Sequence, residues 1–322
     1  MIDNITVPRP MDVVDLRHEQ VDFWCQSNQV TLLLAMQGRY PTPSAAHPLV
    51  DAHHARLWMH GTMRDAELYW VAPDMVTLLE AVAPSMPAIN PEPPVPEALV
   101  VFARPVQGTD AQTGGPIHTA AYLWGDVTID GARCLELETF GWRDLMEPGD
   151  MTAAETEQFR RALRTKLCST GGSEWPYHEV TDDFTWVLGQ AGYSGPPSFS
   201  DTQVGSMLED RRLIAAFWTL CGQRITVEQP QPLDRPVLRR TQRAGLPTRP
   251  VRVVTLREAS HHPSAAGRPV DWSHRWIVGG HWRQQPYGQG SELRRAQWIA
   301  PFVKGPEDKP FVPRETVRAL KR

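Results

Sequence analysis

Apolar residues recur at helical spacing in several segments of the chain. "RDAELYWVAPDMVTLLEAVAPSMP" reads as a short strand followed by a helix, started by Pro73-Asp74 and carrying Met75, Leu78, Leu79 and Val82 on one side. "TAAETEQFRRALRTKLCST" opens on a Thr152/Glu155 capping box and lines up Phe159, Leu163 and Leu167. In "SFSDTQVGSMLEDRRLIAAFWTLCGQ", Met207, Leu208, Ile214, Phe217, Trp218 and Cys221 turn inward, and Gly222 supplies a stop. "SNQVTLLLAMQGRY" reads as one more helix.

Strand patterns fall between and after these. "NPEPPVPEA" is a proline-rich connector, since proline removes the amide that a helix or a central strand would use. "ALVVFARPV", "IHTAAYLWGDVTI" and "RCLELETF" then read as strands of an antiparallel meander. "QPQPLDRPVLRRTQRAGLPTRP" is an extended arm or a short basic helix around Val237–Ala244. Four further segments read as strands: residues 251–258, 273–285, 294–304 and 315–322, the last equally good as a terminal helix. "PYGQGSEL" suits a hairpin loop between the second and third. The pattern predicts an α+β fold of helices plus small antiparallel sheets, ending in a helix-plus-four-strand sheet. It divides into an acidic α+β domain at 1–140, a helical region at 141–230 and a basic β-rich domain at 231–322.

Period-two alternation assigns faces in the last of these. His274, Trp276, Val278 and Trp282 share one side, and Arg275, Ile277, His281 and Arg283 the other. On the partner segment Trp298 and Ala300 lie together, opposite Arg295, Gln297 and Ile299. Gly279-Gly280 sits between, where a bulge would change the facing and bring His274 and His281 to one side. The regular and the bulged readings are both open at this level.

Charge sharpens the picture. The 322 residues carry a net charge of −4, yet Gln231–Arg322 holds 18 basic against 7 acidic residues while Met1–Pro230 holds 15 against 30. A basic end on an acidic body is the asymmetry of a chain that meets a polyanion, or of two parts that attract each other. No apolar run approaches the ~18 residues of a membrane helix, and the N-terminus lacks the pattern of a signal peptide. The expectation is a cytoplasmic protein with no membrane partner. Cys25, Cys134, Cys168 and Cys221 are widely spaced, with no C-x-x-C pair, which fits reduced thiols rather than disulfides or zinc. His47, His53, His54 and His60 lack the H-x-x-x-H spacing of a zinc helix and read as a solvated flank, and His118 as a strand bystander. Phosphate-loop, dinucleotide and nucleophile-elbow signatures are absent, so no metal and no cofactor is expected.

"GHWRQQPYGQG…RRAQWIAPFVKG" resembles a recurring C-terminal module, roughly [V/I]-x-G-H-W-R…G…W-[IV]…[KR]-G. The module it resembles occurs in a family of proteins of actinobacteria, phages and mobile elements. Val278, Gly280, His281, Trp282, Arg283, Gly288 or Gly290, Trp298, Ile299, Lys304 and Gly305 carry the likeness. The resemblance implies a mobile-element or phage setting and names no activity.

Three functions follow. The first is nucleic-acid binding, of RNA or single-stranded DNA. Arg239, Arg240, Arg243, Arg275, Arg283, Arg294, Arg295 and Lys304 would meet phosphates, and Trp282, Trp298 or Tyr287 would offer a ring for stacking. The second is metal-independent RNA cleavage, with His281 and His274 as acid and base, Arg283 or Arg275 as the cation and Tyr287 as an alternative donor. The third is a scaffold role, in which the acidic N-terminal body binds a protein partner.

Overall fold

The computed structural model describes residues 8–25, 48–86, 91–109, 116–129, 132–145, 152, 154, 165–176, 201–257, 276–300 and 302–304. Among them, alternation along the strands divides the apolar side chains between two cores. In β1 (Glu67–Val71), Leu68 enters one core while Tyr69 and Val71 enter the other. In β2 (Ala98–Thr109), Leu99 and Val101 point one way and Ala98, Val100 and Phe102 the other. β3 (Pro116–Ile129) and β4 (Ala132–Trp142) continue the meander, and β5 (Leu167–Pro176) pairs with β4 at the margin. On the far side stand β7 (Val251–Leu256) and β6 (Thr226–Gln231). The seven-stranded order is β5-β4-β3-β2-β1-β7-β6. β1 runs parallel to both its neighbours, and every other pair is antiparallel. A parallel neighbour needs a crossover, which α3 (Pro73–Val82) provides between β1 and β2.

Helices cover both faces, so β1 and β2 are apolar on both sides. α1 (Asp12–Cys25) and α2 (Pro48–Asp65) pack on the Leu68 face. α3 and α4 (Asp201–Cys221) pack on the Tyr69 face. There Trp124 is fully buried, its ring 5.5 Å from Trp218 and 6.3 Å from Phe217, and its indole N–H donates to the Val95 carbonyl at 2.9 Å. Next to it, Gly125 meets α2 closely: a Cβ there would lie 2.7 Å from Thr62 Cγ2 and 3.3 Å from Trp58. Gly125→Ala is therefore expected to cost about 1–3 kcal/mol through overpacking, read as a lowered urea midpoint at unchanged slope.

The α+β class stands as the sequence implies, with two local corrections. Leu167, placed on a helix face from sequence, begins β5, which pairs with β4 from Leu167–Trp142 to Pro176–Cys134. Gly171-Gly172 in "STGGSE" disfavours carrying the preceding helical pattern onward, and β4 presents an edge for the segment to pair with. The segment at 251–256 does not join a four-stranded C-terminal sheet. Val251 enters the α1–α2 core and Val254 the α3–α4 core, so β7 is an interior strand beside β1. One sheet thus takes strands from all three stretches of the chain. The terminal segment 315–322, the helix "SNQVTLLLAMQGRY" and the capping-box helix at 155–164 lie outside the described residues.

The C-terminal strands form one long hairpin. β9 (His281–Tyr287) pairs with β10 (Leu293–Ile299), and β8 (Trp276–Val278) with β11 (Phe302–Lys304), all antiparallel. Val278 faces Phe302 and His281 faces Ile299, so two residues on each strand separate the ladders. No extra residue is inserted between the ladders: Gly279-Gly280 interrupts the hairpin without a bulge. Among the described residues no helix is long and apolar enough to cross a membrane.

Candidate nucleic-acid interface

The hairpin docks through its even-numbered face. Trp282 and Trp298 are directly opposite, with ring centroids 5.4 Å apart in an edge-to-face arrangement, and pack with Ala296 against the α3–α4 core. The Trp282 indole donates to the Val82 carbonyl at the end of α3 at 3.1 Å, and the Trp298 amide donates to Gln223 Oε1 at 3.0 Å. Trp282, a stacking candidate from sequence, is thus committed to holding the hairpin on the body, because an indole needs a partner for its N–H when half-buried. Trp282→Phe is expected to keep the ring contact and lose the hydrogen bond. The expected cost is about 1 kcal/mol, measured as faster proteolysis within 276–304.

The odd-numbered face is turned to solvent. His281, Arg283 and Tyr287 are all exposed on β9, opposite Ile299, Gln297 and Leu293. Tyr287 is 41% exposed, and the Arg295 guanidinium stands 5.5 Å from its ring centroid. The tight turn that presents them uses left-handed backbone at Gly288 (φ 79°), Gly290 (φ 70°) and Ser291 (φ 57°), the first two where a side chain would be strained. Arg294 leaves the opposite side of β10 and donates to the Ser291 carbonyl and, at 3.1 Å, to the Leu293 carbonyl. Both arginines border a groove of about 850 Å³ between β10 and the loop after α4, whose other walls include Gln223, Arg224, Tyr287 and Trp298. Arg257 braces that loop by donating from Nε to the Arg224 carbonyl at 2.8 Å. The groove joins three guanidinium groups to one exposed ring, with Glu92 as the acidic lining residue.

The remaining candidates divide. Arg239, Arg240 and Arg243 do fall on a short basic helix, α5 (Arg235–Arg243). Leu233 and Val237 seat it on the α1–α2 core, and His18 Nε2 meets Thr241 Oγ1 at 3.1 Å. α5 therefore sits across the sheet from the hairpin, and its arginines do not extend the groove. Arg240 is moreover ion-paired with Asp15, Arg249 with Glu67, and Arg252 with Glu67 and Glu228. Part of the charge asymmetry is thus spent within the fold. The Lys304 backbone pairs with Trp276 in β11. His274 and Arg275 lie outside the described residues, as do the side chains of Lys304, His53 and His54.

The acid–base constellation is not assembled among the described residues. His281 Nδ1 lies 3.1 Å from the Gly279 carbonyl, and the ring is exposed. Tyr287 is six residues along the same strand, about 20 Å away at ~3.3 Å per residue, too far to serve one phosphate with His281. Among the described residues no group of three or more His, Cys, Asp or Glu could hold a metal ion.

Arg224, Gln223 and Arg257 were not legible as site residues. Arg224 follows a helix stop, in a stretch that charge counting assigns to the acidic body. Only the docking of β10 against the end of α4 brings it to the groove.

No protein-family model matches the chain, and no curated protein does either. A solved structure titled "Crystal structure of AcrVA2" is similar at 12% identity and a TM-score of 0.34, over 91% of this chain and 95% of that one. Likeness at that level carries no argument about this chain.

Proposed function

We propose that this is a cytoplasmic nucleic-acid-binding protein of mobile-element or phage type, and that its binding surface is the β9–β10 groove. The observation that carries the reading is the exposed Tyr287 ring with Arg295 beside it, at a groove also walled by Arg224 and Arg294. Guanidinium groups neutralise phosphates, and an exposed ring stacks any base, worth about 1–3 kcal/mol per base. Binding stands ahead of RNA cleavage because His281 and Tyr287 are a strand's length apart. It stands ahead of a scaffold role because the groove concentrates cations that the fold leaves largely without carboxylate partners.

The test is retention of labelled single-stranded RNA and DNA by the purified chain, with EDTA present and over a salt series, reading product length as well. Salt-sensitive retention of intact strands is the expected result. EDTA-resistant shortening of RNA alone would restore the catalytic alternative with His281 as its first suspect. Absence of retention even at low salt would leave the internal ion pairs as the reason for the charge asymmetry, and a protein partner as the remaining reading.

A further inference from the structure

A second cavity lies on the α3–α4 side of the sheet, and the groove plays no part in it. It is a half-open cavity of about 440 Å³ between the end of α3, the middle of α4 and the β2–β3 ladder, a size typical of small-molecule sites. One wall is opened by a register break. Val101 pairs with Ala121 and Val106 with Thr119, so four β2 residues oppose a single β3 residue. Irregularities of this kind occur beside functional sites because they re-aim side chains.

A carboxyl, Asp210, lines the cavity beside the buried Tyr122 and Thr119. The Tyr122 hydroxyl donates to Asp210 Oδ1 at 2.5 Å, and Thr119 hydrogen-bonds Tyr122 in turn. Among the described residues no hydrogen bond reaches Asp210 Oδ2. The residue is half-buried and lines the cavity. Burial accordingly raises its carboxyl to about 7, and the nearby Glu209 carboxylate adds to the rise.

The other charged groups fix the sign of a ligand. From α4 come Glu209, which accepts the Thr109 amide at 3.1 Å, and Arg212. From α3 comes Glu80, and on β2 Arg104 holds it in a fork at 2.9 and 2.5 Å while also bonding Thr77 Oγ1 at 3.0 Å. With Arg104 occupied by Glu80, an entering anion would face Glu209 and Asp210 with Arg212 as the one cationic lining residue. An entering cation would complete the set.

We propose that this cavity binds a small organic cation, with a primary ammonium or guanidinium head seated on Asp210 Oδ2 and Glu209. Binding turns a buried carboxylic acid into a paired carboxylate, so it releases a proton from Asp210. Affinity should therefore rise about tenfold between pH 6 and pH 8 and level off above.

The experiment is calorimetric titration of the full chain with n-butylammonium and methylguanidinium chloride, with butyrate and n-butanol as controls. It is run at pH 6 and pH 8 in buffers of different ionisation enthalpy. The expected result is saturable binding of the cations alone, stronger at pH 8, with proton release at pH 6 and loss of at least tenfold in affinity in Asp210→Asn. Circular dichroism checks that the variant is folded. Binding indifferent to pH or to Asp210→Asn would overturn the proposal. So would butyrate binding as well as butylammonium, or the absence of saturable cation binding to the wild-type chain. None of these outcomes bears on the nucleic-acid groove, which Asp210 does not line.

Discussion

Asp210→Asn is expected to stabilise the fold by about 4 kcal/mol at pH 8 and to leave it almost unchanged at pH 3.5. The free carboxyl titrates at 3.8 and the buried one at about 7. Between those values the unfolded chain gives up a proton that the folded chain keeps, so rising pH favours unfolding. The stability associated with this group is complete below the unfolded value, falls as pH rises, and is flat above the folded one. An asparagine never charges, and its Oδ1 can still accept from Tyr122, so the variant escapes the loss. Urea unfolding from pH 3.5 to 8 reads this directly as a gap that opens with pH. An equal gap at both ends would mean that the substitution acts through packing. A gap that never opens would mean that Asp210 is not desolvated.

The largest functional effect is expected from the triple replacement of Arg224, Arg294 and Arg295 by Ala. Each guanidinium is exposed to the groove, so each phosphate contact is worth about 1 kcal/mol, and the three together roughly 100-fold in affinity. The slope of log affinity against log salt should fall by about 2, since each phosphate contact on a single strand contributes about 0.7. Tyr287→Ala should weaken binding with little change of slope, because stacking releases no counterions. Arg239→Ala with Arg243→Ala should change neither quantity, since α5 sits on the other face of the sheet. Equal losses from the α5 pair and the groove triple would point to diffuse attraction in place of a site.

Much of the fold was legible because period and burial agree. The apolar runs of β2, β3 and β4 between turn-forming residues mark the meander, and α3 and α4 repeat apolar residues at three and four with a proline start or a glycine stop. β5 and β7 were misplaced for opposite reasons. "STGGSE" looks like a turn and becomes a strand through pairing with β4, a tertiary effect. "VRVVTL" looks like a strand and is one, but local pattern cannot say which neighbour it chooses. The site was half-legible. Tyr287, Arg294 and Arg295, named from sequence as phosphate or stacking residues, line the groove, while Trp282, also named, packs inward with Trp298. The α5 arginines are adjacent in sequence to the basic end and remote in space, so net charge counted along a segment overstated the surface. Asp210 was invisible, because its character comes from Tyr122 and Glu209 enclosing it in the fold.

Photocrosslinking would show where a single strand lies on the protein. The chain is irradiated with a single-stranded oligonucleotide carrying bromouridine, and the attachment site is mapped by mass spectrometry. Attachment to the peptide containing Tyr287 is expected, lost in Tyr287→Ala and reduced by high salt. Attachment on Arg235–Arg243, or scattered over the acidic body, with none on 281–299, would contradict it.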